Sequence, residues 1–191
     1  MEINKITRIS IIIFAIAVFS GPLYTVDNYS HIRNLISELV AQQTKNNFIM
    51  IIGFLILGLG ILIDSYKKMS YPIVPFALFG IFMVMAGIFP HKPIDTSISY
   101  NHTFHSLHSL SATLAGISIS IGFIWQGFLS LTRNQKIMYF YLATACFVFP
   151  MLMLSMSEYQ GILQRLMYLQ VFAWLWVMFP RNIISKKPLL P

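Results

Sequence analysis

Charge is what this chain has least of. Asp, Glu, Lys and Arg make up only 10% of its 191 residues, against about 25% in a soluble domain, and its mean hydropathy is +0.70. So little polar surface excludes a water-soluble globular protein. Cysteine is nearly absent. Cys146 stands alone in an apolar run, which excludes an intrachain disulfide. Long linkers, low-complexity stretches and clear internal repeats are missing, so nothing divides residues 1–191. The short alternation of polarity that marks a membrane β-barrel is missing as well. What is present is a set of continuous apolar runs approaching the roughly 20 residues needed to cross a bilayer. The expected fold is an all-α membrane protein, a bundle of transmembrane helices.

The runs predict six spans, near residues 6–24, 47–66, 72–90, 108–131, 137–156 and 162–179. The first lacks a small-x-small cleavage site after its apolar run and is expected to be retained. Nine of the thirteen basic residues fall on one side: Lys5, Arg8, Lys67, Lys68, Arg133, Lys136, Arg181, Lys186 and Lys187. Arg33, Lys45, Lys92 and Arg165 fall on the other. The positive-inside rule then puts both termini in the cytoplasm of a cell with this protein in its cell membrane. The net charge of +7 therefore reflects topology rather than nucleic-acid binding. In this orientation all five histidines (His31, His91, His102, His105, His108) and four of six acids (Asp27, Glu38, Asp95, Glu158) lie outside. Titratable groups are costly near lipid and gather where they have a task, so the outer mouth of the bundle is the expected site. Asp64, at the inner end of the second span beside Lys67 and Lys68, reads as a solvated helix-end charge.

Between spans one and two, Ile32, Leu35, Ile36, Leu39 and Val40 recur at helical spacing. With Ser30 as N-cap, residues 31–43 predict a short amphipathic helix lying in the outer interface. It is either a lipid-compatible connector or a lid that aims Ser37 and Glu38 into a site. Further on, Pro90 and Pro93 break the third helix. His102, His105 and His108 then follow at spacings of three, which puts neighbours about 60° apart on a helix. Such histidines either hydrogen-bond loop carbonyls and headgroups, or bind a divalent transition metal, with His105 and His108 foremost and His102 behind them. Haem is disfavoured, because no histidine falls near mid-membrane. Arg165 sits about one turn inside span six, where an unpaired guanidinium is expensive. Glu38 is its expected partner and Glu158 the next. Glu38, His105, His108 and Arg165 are expected to converge in one outer pocket.

Inside the bundle, Ala112, Gly116 and Ser120 repeat every four residues, a small-xxx-small pattern that lets helices approach closely. Gly53, Gly58, Gly60, Gly80 and Gly87 add close-packing positions. Pro150 predicts a kink in span five, and Trp174 reads as a packing residue. Spans two to four carry no charge near the midplane, which weighs against a transporter.

Several separated motifs occur together: Asn34-Leu35-Ile36-Ser37-Glu38-Leu39, Gly53-Phe54 with Gly58, Phe89-Pro90 followed by Asp95, His105 with His108, and Gly161, Arg165 and Trp174. The combination resembles the prokaryotic multi-pass membrane family of unknown function DUF998 over nearly the whole chain. The resemblance implies a six-helix fold in a bacterial or archaeal cell membrane and implies no activity. The N-x-S/T sequons at Asn28 and Asn101 would then have no glycan role. One departure is plain: where the family pattern has an acid directly after Phe-Pro, His91-Lys92-Pro93-Ile94 intervene before Asp95, so no role passes to Asp95.

Two functions stay open from the residues. One is a lipid-directed membrane enzyme with Glu38, His105 or His108 as acid–base groups and Arg165 and Ser37 as substrate contacts. The other is a non-catalytic lipid-binding, sensory or assembly protein. Membrane lipids are the expected partners in both, and the sequence sets no oligomeric state.

Overall fold

A computed structural model describes residues 5–27, 29–68, 70–95 and 97–179. Arg181, Lys186, Lys187 and the sequon at Asn28 lie outside the described residues. All elements are helical. They are α1 (Lys5–Phe19), α2 (Gly21–Tyr24), a 3-10 helix (Ile36–Val40), α3 (Phe48–Tyr66), a 3-10 turn (Tyr71–Ile73) running into α4 (Val74–Ile88), α5 (His102–Leu129), α6 (Arg133–Ser155), a 3-10 turn (Ser157–Tyr159) and α7 (Gln160–Val177). Among the described residues four stretches are long and apolar enough to cross a membrane: Phe48–Tyr66, Tyr71–Ile88, His102–Leu129 and Arg133–Ser155.

Each long helix packs on the next in sequence, and α7 returns to α1, so the six close into a ring. The core runs along the inside of that ring. Phe14 meets Phe54 edge-on at 5.2 Å, and Phe76 stacks on Trp174 at 4.9 Å. Trp174 is thus a packing residue. The α3–α4 contact is made possible by glycine: a Cβ on Gly58 would lie 2.5 Å from the Gly80 carbonyl oxygen. Gly87 packs against Phe54, and Gly60 against Ser10 of α1, in the same way. Gly116 differs from its expected role. A Cβ there would meet nothing, and with Ala112 it lines a small cavity beside Cys146 and Tyr168. The small-residue repeat on α5 therefore leaves a void rather than a tight helix crossing.

Two further expectations are corrected. Asp64 is not a solvated charge. It is fully buried, accepts the Thr7 N–H at 2.8 Å and pairs with Lys67 at 2.7 Å. Helix α1 has no acid in its own first turn, so Asp64 of α3 supplies the negative charge that its exposed N–H groups favour. Nor do residues 31–43 form an amphipathic α-helix on the surface. Only Ile36–Val40 are helical, as a 3-10 turn, and Ile36, Leu39 and Val40 are buried inside the protein. The helix cannot extend upstream, because the carbonyls of His31, Ile32 and Asn34 are taken by α7.

Candidate functional site

The polar groups at the end of the bundle where α4 stops and α5 and α7 begin form two centres. The first forms where the 29–34 segment meets the start of α7. A Cβ on Gly161 would lie 2.7 Å from the His31 oxygen and 2.8 Å from the Ile32 oxygen, and closer still to the Asn34 oxygen. Only glycine lets the segment sit directly on the helix end. Ile162 N–H then donates to the Ile32 oxygen at 3.0 Å. One turn on, Arg165 Nη1 donates to the carbonyls of His31, Asn34 and Gly161, each at 2.9 Å. Its Nη2 donates to the Tyr29 hydroxyl at 2.6 Å. The Gln164 side-chain oxygen accepts the Ile36 N–H, which fixes the start of the 3-10 turn.

The expected Arg165–Glu38 and Arg165–Glu158 pairs are not formed. Among the described residues no carboxylate lies within ion-pair distance of this guanidinium. Glu38 instead accepts from the Leu35 N–H at 2.7 Å and from Asn34 Nδ2 at 3.0 Å. Main-chain carbonyls stand where a carboxylate was expected, and Glu38 is nearer its own helix end, where N–H groups lack partners. The two residues are linked indirectly, through Asn34 and through Tyr29 and Leu35. Ser37 is buried in the same turn, and Glu158 is exposed. Burial pushes the Tyr29 hydroxyl's pKa up, against the opposing pull of Arg165. Burial and then the Arg165 cation push His31 down.

The second centre joins the Pro90 loop to the top of α5. His108 Nδ1 faces the oxygens of Ala86 at 2.9 Å and Phe89 at 2.8 Å. Both partners are acceptors, so Nδ1 carries the proton and donates to both. His108 Nε2 is buried without a partner. His91, which sequence spacing did not single out, packs against His108 and His105 with ring centroids 5.2 and 4.6 Å apart. His102 is not part of this group. It is exposed and lies against Tyr100 at 4.4 Å. Among the described residues no three His, Cys, Asp or Glu side chains are grouped to hold a metal ion. Gln42 ties the centres together: its main-chain N–H donates to the His91 oxygen, and its amide pairs with the main chain of Asn101.

Burial, with the neighbouring His108 and His105, pushes the His91 pKa down to about 3. The unfolded chain, with a histidine pKa near 6.5, binds that proton more readily than the folded one. The stability this gives is present above about pH 6.5 and is lost as pH falls toward about 3. A thermal-melt series from pH 8 to pH 4 in detergent should therefore show a falling Tm. His91→Phe should flatten part of the slope, leaving the share due to the protein's other histidines. An unchanged slope in the variant would reject the assignment.

An apolar cavity of about 250 Å³ lies along the seam between α1 and α7. Ile11, Phe14 and Val18 line one wall and Tyr168, Phe172 and Trp176 the other. Arg165 and Ile36 close its outer end, and Arg8, bonded to the Trp176 oxygen at 2.8 Å, marks the other. It is lined by Arg165 but by none of Glu38, His105 and His108, so the four expected site residues share no cavity there.

The sequence model of a family described as a protein of unknown function, DUF998, matches residues 9–179. No curated protein and no solved structure matches the chain.

Proposed function

This chain belongs to the DUF998 family, and we propose that it is a six-span protein of a prokaryotic cell membrane that works by holding lipid at its outer face rather than by turning a substrate over. Four of its helical stretches have the length and apolarity of spans. α1 and α7 complete the ring with them, which supports six. The nine-to-four split of basic residues supports cytoplasmic termini.

One observation carries the choice between binding and catalysis: the polar groups at the mouth are committed to holding the main chain. Arg165 holds three carbonyls, Glu38 two donors of its own turn, and His108 two carbonyls at the end of α4. A general base must be free to take a proton from a bound substrate. Groups already bound in this way act as a lock that shapes the outer face, and lipid is the ligand such a face meets.

A second reading has one observation in its favour, the unpartnered Nε2 of His108. In it the protein is a lipid-directed enzyme. Glu38, His105 and His108 move protons, Ser37 and Arg165 hold substrate, and a divalent transition metal sits on His105 and His108. Mass spectrometry and elemental analysis of the protein purified in mild detergent separate the two. Retained lipid without stoichiometric metal is the expected result. Stoichiometric zinc or iron that disappears in His105→Ala would replace it with the enzyme reading.

A further inference from the structure

We propose that the seam between α1 and α7 holds one acyl chain of an anionic amphiphile, its acidic headgroup resting against Arg165. The inference rests on the lipid-binding reading and names its site and ligand class.

The tail end is set by shape. The cavity walls are apolar, and the groove runs from Arg165 to Trp176 on α7. Eleven residues of helix at about 1.5 Å each give roughly 16 Å. That is about half of the roughly 30 Å hydrocarbon core, the depth of one leaflet. Phe19 and Leu169 on its rim are mostly exposed, so a chain can enter sideways from the bilayer. The volume, about 250 Å³, is too small for a helix of another protein, which is about 10–12 Å across with its side chains.

The head end is set by charge. Arg165 is 9% exposed, and every acceptor it has found is neutral: three carbonyls and a phenol. Its Nε–H has no acceptor at all and is buried. A buried cation with an unused donor is costly unless an anion completes it. Arg165 lines the end of the groove, so the head of a chain seated there lies against this side chain. A carboxylate and a phosphate oxygen both meet this requirement, as a fatty acid or as the headgroup of an acidic phospholipid.

The test is native mass spectrometry of the full chain, delipidated in detergent and titrated separately with dioleoyl phosphatidylglycerol, oleate and dioleoyl phosphatidylcholine. One phosphatidylglycerol or one oleate per chain is expected, bound about tenfold or more tightly than phosphatidylcholine. Whichever of the two binds identifies the source of the anion. Ala173→Phe and Ala15→Phe fill the groove from opposite walls and should each cut occupancy about tenfold with little change in Tm. Ile121→Phe, on the exposed face of α5, should leave it unchanged. Arg165→Lys should weaken binding of the anion while leaving phosphatidylcholine unaffected. Equal binding of phosphatidylcholine overturns the headgroup assignment. Anionic lipid bound equally by both groove-filling variants overturns the site but leaves the lipid-binding reading standing. No bound lipid, or a dimer lost in Ala173→Phe in its place, overturns both.

Discussion

Replacing Arg165 with methionine is expected to cost more stability than any other single polar substitution at this end of the bundle. The side chain holds the carbonyls of His31 and Asn34 from across the chain. Methionine fills the space and satisfies neither. Leaving a buried acceptor unpaired costs about 1–3 kcal/mol, so the two together cost roughly 2–6 kcal/mol. In a chain of this length that lowers Tm by on the order of 10 °C. The informative control is Glu38→Leu. If arginine and glutamate formed an ion pair, removing both would recover part of the loss. Here Glu38 caps its own turn, so Arg165→Met with Glu38→Leu should melt below either single variant. Recovery in the double variant would restore the ion pair and reject the main-chain fork.

The second large effect is expected at Gly161. Even alanine there places a carbon against the three carbonyls of the 31–34 segment, and all are backbone atoms that cannot swing aside. Gly161→Ala should lift the segment from α7, breaking the Ile162–Ile32 bond and pulling the Arg165 acceptors out of reach. Its loss of Tm should approach that of Arg165→Met. Because both substitutions break one contact, they should be strongly non-additive, with the double variant little worse than the worse single. Full additivity would show that Gly161 and Arg165 act separately.

These two residues also mark what could be read from the chain and what could not. Apolar runs locate the helices because burial and lipid both demand them. The depth of Arg165 announces that it needs acceptors, but main-chain oxygens are invisible in a sequence, whereas acids can be counted. That is why Glu38 looked like the partner. The stripe at Ile36, Leu39 and Val40 correctly marks a buried face. The same spacing fits an α-helix and a 3-10 turn, and only the carbonyls lost to α7 decide between them. His91 escaped notice because it precedes α5 in a proline-bounded loop, outside any helical register with His105 and His108. Gly58 and Gly116 look alike as letters. One lies at a helix crossing and the other beside a void, a difference made by neighbours far away in sequence. Asp64 reads as solvated next to two lysines until the start of α1 is seen to rest on it.

The latch at α7 also fixes when the protein can be complete. Arg165 and its acceptors are separated by 134 and 131 residues, and the chain is made from its N-terminal end at about 5–20 residues per second. The 29–34 segment therefore leaves the ribosome long before its donors exist. Its carbonyls must be served by water or by the insertion machinery until the last helix arrives. The ring is closed only once α7 meets α1, and any substitution that delays α7 prolongs exposure of the α1 face carrying Phe14, rather than weakening the helices already in place.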